Sequence, residues 1–254
     1  MFRRTVTYLL LAVSALAQSD AKALFEIAKK RLVVAQTHAG DGRLERLRAC
    51  VPLFERARAV APIGSRERAR SGLEAGRLLK RLGDVSAAES LYRDVAAEGP
   101  AEEAVGALHE LATLHRSLRR IDDAVADLEA VLVRHPTQTR ACAEALVRLA
   151  SLHRAERRIP EARAALSRCL DHYIEHRTVV LDALDAWVAL EVGQGDFGAA
   201  RRTFEREAHR IRARATDSRS RASTDNGLAK IALRLGAAPK TGTPGVERPS
   251  PTDS

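Results

Sequence analysis

Apolar residues recur at helical spacing along most of this 254-residue chain. Between Leu108 and His115, and again between Ile121 and Leu128, they stand three or four positions apart, which places them on one face of an α-helix. A short polar break separates the two stretches, and Pro136 follows the second. The pattern predicts a pair of amphipathic helices that are joined by a turn and closed by a proline.

The same helix pair recurs along the chain. Its second helix is marked by an alanine, at Ala88, Ala124, Ala162 and Ala200, and these alanines are separated by 36, 38 and 38 residues. A fixed period of this length indicates stacked copies of one helix hairpin, because a single hairpin cannot bury its own apolar face. The turns within the hairpins are marked by Gly83-Asp84-Val85, Ile159-Pro160-Glu161 and Gly195-Asp196-Phe197.

Less regular segments flank the four clear hairpins. Before them, a helix around Ala28, a break at Gly40-Asp41-Gly42 and a second helix around Phe54 predict a divergent N-terminal hairpin. Pro52 should kink or begin that second helix, because proline removes a backbone hydrogen bond. After them, the segment from Leu228 to Gly236 predicts a single capping helix.

The repeated residues resemble the tetratricopeptide repeat (TPR) family, whose signature places a small residue and an aromatic residue in the first helix, an alanine in the second and a proline at the end. The period here exceeds the family's 34 residues, so the loops between hairpins should be longer. In successive hairpins the small position carries Gly76, Ala112, Ala150 and Val188, and the aromatic position carries Leu79, His115, His153 and Glu191.

The resemblance implies an all-α fold: a right-handed superhelical solenoid of about five TPR-like helix hairpins plus a C-terminal capping helix. On this interpretation residues 18–66 form the divergent N-terminal hairpin and residues 67–237 form the TPR-like repeat domain.

In the TPR family the first helices of successive repeats line a concave groove that takes a peptide or a partner helix. The resemblance therefore implies that first-helix residues of this chain bind a protein or peptide partner, and their basic balance favours an acidic one. The carboxylate-binding subset of the family needs asparagine where this chain has Thr113 and Ser151, so that specificity does not carry over. The predicted groove residues are Glu74, Arg77, Lys80, His109, Thr113, Arg116, Arg148, Ser151 and Arg154.

The chain is basic, with 42 lysine and arginine residues against 33 acidic residues and a formal net charge of +9. Such a charge favours anionic partners, but 36 of the 42 basic residues are arginine, which a compositionally biased genome also explains. Cations recur with the repeat, and we expect them in the last turn of each first helix, where they either stabilise the helix dipole or line one edge of the solenoid. They are Lys80, Arg81, Arg116, Arg119, Arg120, Arg154, Arg157 and Arg158.

The N-terminal residues have the three parts of a secretory signal peptide. Arg3 and Arg4 precede an apolar stretch from Thr5 to Leu16, and Ala15-Leu16-Ala17 forms a small-residue cleavage site. We predict that cleavage after Ala17 removes residues 1–17 as a signal peptide. The apolar stretch is shorter than the roughly 20 residues that span a bilayer, which favours a cleaved signal peptide. An uncleaved membrane anchor is the alternative.

Export would place the protein in the periplasm, the cell envelope or the extracellular space. Nucleic acid is not a predicted partner there, whereas contact with anionic envelope components is compatible with the charge. At the other end, residues 238–254 are rich in proline, glycine, serine and threonine. This composition predicts a disordered tail.

Three patterns that could carry chemistry have stronger structural explanations. The segment from Gly193 to Gly198 matches the dinucleotide fingerprint G-x-G-x-x-G, but a helix rather than a strand is predicted before it, so we assign it to a repeat turn. His172 and His176 could share a metal on one helix, yet no third ligand is placed, and a helix end favours a cation. We expect His115 and His153 to serve packing within or between repeats.

Cys50, Cys142 and Cys169 lie too far apart for a redox or zinc motif. We expect buried apolar thiols, with a disulfide between Cys142 and Cys169 as the alternative in an exported protein. No catalytic motif is recognised, so no enzyme activity, cofactor or metal is predicted. The sequence predicts a non-catalytic protein–protein interaction scaffold or adaptor, and the alternative is a membrane-anchored structural spacer of an envelope complex.

Overall fold

The structure of the protein is a computed structural model that describes residues 2–37 and 42–236, with side chains from residue 18 onwards. Within those ranges the chain forms eleven α-helices. The break predicted around Gly40 and Asp41 and the tail predicted to be disordered at residues 238–254 lie outside the described residues. The helices are α1 (Phe2–Thr37), α2 (Arg43–Val60), α3 (Arg66–Leu82), α4 (Val85–Glu98), α5 (Ala101–Ser117), α6 (Ile121–Arg134), α7 (Thr139–Ala155), α8 (Ile159–His172), α9 (Arg177–Gly193), α10 (Phe197–Ala213) and α11 (Ser218–Gly236).

Successive helices form five hairpins, from α1–α2 to α9–α10, and α11 is left as the C-terminal capping helix. The chain divides into two compact units, Met1–Ala145 (unit 1) and Leu146–Ser254 (unit 2), with the boundary inside α7. In unit 1 the two helices of each hairpin contact one another, and the first helices α1, α3 and α5 contact in succession. In unit 2, α9 contacts both α10 and α11. The predicted all-α class and hairpin order are therefore confirmed.

The N-terminal hairpin is held by aromatic packing. The rings of Phe25 on α1 and Phe54 on α2 meet edge to face, with centroids 5.8 Å apart and an interplanar angle of 66°. Pro52 lies inside α2 rather than at its start. The first helix of this hairpin, α1, runs without a break through the predicted cleavage site at Ala17. In the part of the chain that the structure describes, no helix combines the length and the apolar character needed to cross a bilayer.

Small residues let the two helices of a hairpin approach closely. A Cβ atom placed on Gly76 would lie 2.6 Å from Cε1 of Tyr92, which is fully buried on α4. Glycine is therefore required opposite this ring. In the next hairpin Ala112 stands at the position of Gly76. Leu128 stands at the position of Tyr92 and has a smaller side chain than tyrosine. The anchoring alanines Ala88, Ala124, Ala162 and Ala200 are all at most 1% exposed.

The turns within four hairpins share one backbone conformation. A residue with positive φ follows the first helix, and the next residue donates its backbone N–H to the carbonyl five positions back, as Arg120 does to His115 at 2.9 Å. This is the Schellman motif, in which glycine is usual because it has no Cβ to clash. The residues with positive φ are Gly83 (87°), Arg119 (62°), Arg157 (59°) and Gly195 (79°).

The prediction that every recurring cation lies in the last turn of a first helix is wrong for four of them. Arg119 and Arg157 occupy the left-handed turn position, and Arg120 and Arg158 follow, at the N-caps of α6 and α8. The hairpins before and after carry Gly-Asp at this turn, and each aspartate accepts a hydrogen bond that caps the next helix. The dipole explanation does not cover Arg120 and Arg158, because a helix start disfavours positive charge.

Candidate functional site

Arg77 and Lys80, two cations of the predicted groove, share one carboxylate. Arg77 Nε donates to Glu110 Oε1 at 2.8 Å and Lys80 Nζ donates to Glu110 Oε2 at 2.6 Å, which ties α3 to α5. Arg77 also donates to Glu74 at 2.7 Å. Burial raises the pKa of Glu110, but the hydrogen bonds from Lys80 and Arg77 outweigh it and hold the pKa below its ordinary value. The protein itself therefore neutralises much of this positive charge.

Tyr92 fills the space next to this ion-pair network. Its side chain is fully buried, and Lys80 Nζ lies 5.9 Å from the centroid of its ring. Its ring packs against Gly76 of α3, where an added Cβ would lie 2.6 Å from Cε1 of the tyrosine.

Three predicted groove residues, His109, Thr113 and Arg116, lie along α5. Thr113 Oγ1 donates to the carbonyl oxygen of His109 at 2.9 Å, and both side chains are half-buried. Arg116 is exposed, and among the described residues no carboxylate pairs with it. Of the predicted groove cations in unit 1, Arg116 is thus the one whose charge is left for a partner.

A cleft of about 360 Å³ lies between α1, α3 and α5. Phe25 and Leu73 provide apolar surface, while charged side chains of both signs line the rest. The carboxylate of Glu103, only 5% exposed, accepts a hydrogen bond from Arg66 at 2.7 Å and lies 3.4 Å from Arg70 Nε. The cleft is therefore of mixed charge rather than basic.

In unit 2, α7, α8 and α9 enclose a recess of about 180 Å³. Two predicted groove residues, Ser151 and Arg154, line it and are exposed. No carboxylate among the described residues pairs with Arg154. Arg148, the remaining predicted groove residue, is also exposed on α7. The other lining side chains are apolar: Val147, Ala150, Ala162, Leu166, Ala186 and Leu190.

Charged side chains join successive hairpins at the aromatic position of the repeat. His115 Nδ1 lies 2.7 Å from Asp127 Oδ2, and its Nε2 lies 3.1 Å from Glu89 Oε1 in the preceding hairpin. His115 is 3% exposed, so its predicted packing role is confirmed. His153, at the matching position, is half-buried.

Sequence reasoning missed the partners of these buried groups. Glu89 and Arg163 each directly follow the anchoring alanine of a second helix. In unit 1 the acid Glu89 meets the base His115, and in unit 2 the base Arg163 meets the acid Glu191. The signal was one acidic and one basic residue at two fixed repeat positions, with the two residue types exchanged between the two hairpins.

The glycine-rich segment from Gly193 to Gly198 spans the predicted turn, with Gly193 at the end of α9 and Gly198 in the first turn of α10. The expectation that His172 and His176 both stand at the end of one helix is wrong for His176. His172 ends α8, whereas His176 is the N-cap of α9, because the chain turns between them. Among the described residues, no group of three or more histidine, cysteine, aspartate or glutamate side chains is arranged to hold a metal ion.

All three cysteines are buried, with at most 3% of each residue exposed. The Cys142 thiol donates to the carbonyl oxygen of His135 at 3.4 Å. Burial, together with the charge of Asp182, raises the pKa of the Cys169 thiol to about 12. These surroundings support the interpretation of the cysteines as small buried apolar residues.

No family model matches the sequence. No curated protein matches it either. The structure is similar to that of a Podosopora anserina protein described as a kinesin light chain with nearly identical TPR-like repeats, at 19% identity and a TM-score of 0.50, over 79% of this chain and 99% of that one.

A single-residue variant of the same Podosopora anserina protein gives 19% identity and a TM-score of 0.50 over 77% of this chain and 96% of that one. BtubC (BKLC) from P. vanneervenii has 14% identity and a TM-score of 0.48 over 89% of this chain and 98% of its own. The likeness to the Podosopora anserina structures shows that this chain has the fold of TPR-like repeat proteins.

Proposed function

We propose that this protein is a non-catalytic interaction scaffold or adaptor of the periplasm or cell envelope, which binds a protein or peptide on the face formed by its first helices. The observation that carries the proposal is the succession of hairpins in unit 1 whose first helices α1, α3 and α5 contact one another. Stacking of this kind produces an extended surface that no single hairpin offers. The TPR-like fold, which typically serves protein–protein interaction, adds support.

The exposed first-helix arginines that pair with no carboxylate among the described residues favour an acidic partner. Arg116, Arg148 and Arg154 are exposed on first helices, whereas Arg77 and Lys80 already pair with carboxylates. We therefore expect the first three to contribute more to binding than the other two. Contacts between exposed charges are screened over about 8 Å at physiological salt, so binding should weaken as salt rises.

The test is affinity capture from the native organism with the processed chain as bait, followed by binding kinetics with the captured protein. A first-helix variant loses three free arginines, and a matched control loses three exposed arginines of α10 and its C-cap. The first-helix substitutions are Arg116→Ala, Arg148→Ala and Arg154→Ala. The control substitutions are Arg201→Ala, Arg202→Ala and Arg214→Ala.

We expect the first-helix variant to bind at least about tenfold more weakly, a loss of about 1.4 kcal/mol, with an unchanged melting temperature. The control, which removes the same charge, should retain the partner. If both variants bind as tightly as the parent, the first-helix face is not the binding surface.

Location is part of the proposal, and the signal-like N-terminus supports export. One observation favours retention of residues 1–17, which the second candidate, a membrane-anchored spacer, requires: α1 is continuous from Phe2 to Thr37, so cleavage after Ala17 would cut a helix. The intact mass of the protein isolated from its native organism decides between the two. The mass of a chain that starts at Gln18 supports the exported adaptor. The mass of a chain that includes residues 1–17 supports the anchored spacer.

A further inference from the structure

We infer that the recess of unit 2 binds one acidic side chain of a partner polypeptide together with a neighbouring aliphatic side chain. This inference rests on the proposed function and narrows it to a defined subsite. The subsite consists of Arg154 and Ser151 from α7, Leu166 from α8, and Ala186 and Leu190 from α9.

The matching positions of unit 1 show which group is missing from unit 2. Lys80 and Arg154 each lie four residues after the small residue of their first helix, and Glu110 and Ala186 each lie two residues before it. In unit 1, Glu110 of one first helix reaches Lys80 of the preceding one at 2.6 Å. In unit 2 the methyl group of Ala186 cannot replace that carboxylate, so no described residue pairs with the Arg154 guanidinium group.

The apolar part of the recess also results from a residue difference between matching positions of the two units. Leu166 matches Tyr92, whose ring fills the corresponding space in unit 1. The shorter leucine and the alanine at position 186 leave a volume of about 180 Å³ with buried apolar walls, such as Leu190 at 2% exposure. Pockets for cofactors and drug-sized ligands begin at about 300 Å³, so this recess suits a single side chain.

Charge and shape together select the occupant. A guanidinium group binds a carboxylate through two parallel hydrogen bonds, and Ser151 beside Arg154 offers a further hydroxyl donor. Residues 146–236 carry 17 basic and 12 acidic residues, a net charge of +5 that attracts an acidic chain. Nucleic acid fits poorly, because the lining contains no aromatic side chain on which a base could stack.

Glu110 also suggests how to block the subsite from within. Ala186→Glu places a carboxylate where unit 1 has one, and Ala186→Gln adds the same bulk without charge. In the Ala186→Glu background, Arg154→Ala should lower the melting temperature, whereas Arg154→Ala alone should leave it unchanged. This coupling in melting temperature should be absent in the Ala186→Gln background.

The binding probe is the peptide acetyl-Ala-Glu-Leu-Ala-amide, followed through the methyl resonances of Leu166 and Leu190 in the whole protein. We expect a dissociation constant in the millimolar range, because the contact is a single charged and apolar pair. Changing the peptide's Glu to Gln, or the protein's Arg154 to Ala, should weaken binding about tenfold. Ala186→Glu should weaken it at least as much.

Absence of methyl shifts at about 10 mM peptide, or equal binding of the Glu and Gln peptides, would overturn the inference. Should Ala186→Glu fail to fold, the peptide pair and Arg154→Ala still decide. The proposed function fails separately: if a captured partner binds Ala186→Glu normally but not the first-helix variant, the subsite is wrong and the scaffold stands. If capture yields no partner for the parent protein, the scaffold function is wrong whatever the peptides show.

Discussion

The guanidinium group of Arg163 donates two hydrogen bonds to the carboxylate of Glu191, at 2.6 and 2.7 Å, and so joins α8 to the first helix of the next hairpin. Glu191 is 1% exposed and occupies the position where TPR repeats carry an aromatic residue. Arg163 is half-exposed, so it satisfies the buried carboxylate while keeping part of its own hydration. The junction is held by a bidentate ion pair in place of ring packing.

Removing Arg163 alone should destabilise unit 2, because it leaves the Glu191 carboxylate buried without a partner. We expect Arg163→Ala to lower the free energy of unfolding by about 2–3 kcal/mol. Urea unfolding followed by fluorescence of Trp187, the only tryptophan of the chain and a residue of α9, measures this loss. The double variant Arg163→Met with Glu191→Met removes both charges and should lose much less. An equal loss in both variants would show that packing, not the buried charge, holds the junction.

Glu89 and Asp127 both contact the imidazole of His115, yet their pKa values move in opposite directions. Burial raises the pKa of Glu89, but hydrogen bonds from His115 and Arg120 outweigh it and bring the pKa below the ordinary value. For Asp127, burial prevails over the attraction of His115, and the pKa lies above the ordinary value. Arg93 lowers the pKa of both carboxyl groups, and Asp123 raises that of Asp127.

As pH falls, these two carboxyl groups should therefore change the free energy of unfolding in opposite directions. A lowered folded-state pKa adds stability that is lost as pH falls below the ordinary value, 4.5 for Glu89. A raised folded-state pKa adds stability that is present at low pH and lost as pH rises above the ordinary value, 3.8 for Asp127.

Glu89→Gln should consequently make stability fall less steeply below pH 4.5, and Asp127→Asn should make it fall more steeply as pH approaches 3.8 from above. Urea unfolding at a series of pH values measures both slopes. Slopes that change in the same direction would contradict the opposed pKa values.

Gly76 and Tyr92 should show strong energetic coupling, because a Cβ on Gly76 would lie 2.6 Å from the ring. We expect Gly76→Ala to destabilise the protein by about 1–3 kcal/mol through overpacking. In the presence of Tyr92→Leu the same change should be neutral or stabilising, since the pair then matches Ala112 with Leu128 and alanine favours a helix. A double-mutant cycle measured by urea unfolding tests this. A coupling energy below about 0.5 kcal/mol would mean that the ring moves aside freely.

The hairpins could be predicted from the sequence because each one forms between two segments that are close together in the chain. Ala124 and Leu128 mark a second helix through their spacing, and within each unit the contacts are mainly between helices adjacent in the chain, so the pattern repeats where the structure repeats. Contacts between hairpins were not predictable in this way. Lys80 with Glu110, and Arg163 with Glu191, depend on which long side chains face each other across a junction, and spacing alone does not specify that.

The basic character of the groove is overestimated from the sequence for the same reason. Counting cations along first helices does not reveal that Glu110 already binds Arg77 and Lys80. It also does not reveal that the turn at Arg119, which has no glycine, keeps the positive φ found at Gly83. The sequence predicts Arg119 in the last turn of a first helix, whereas the turn geometry shared by the hairpins places this residue in the left-handed region.

That conformation gives the last prediction. Arg119 has φ 62°, and Gly83 holds the matching position of the preceding hairpin. A side chain in the left-handed region costs about 1 kcal/mol, so Arg119→Gly should raise the free energy of unfolding by about 0.5–1 kcal/mol, after allowance for the greater freedom of glycine in the unfolded chain. The matched control is Arg116→Gly, inside α5, which should lower it by about 1 kcal/mol because glycine disfavours a helix. Urea unfolding of both variants gives the two signs, and a loss of stability in Arg119→Gly equal to that of the control would show that the turn places no strain on this arginine.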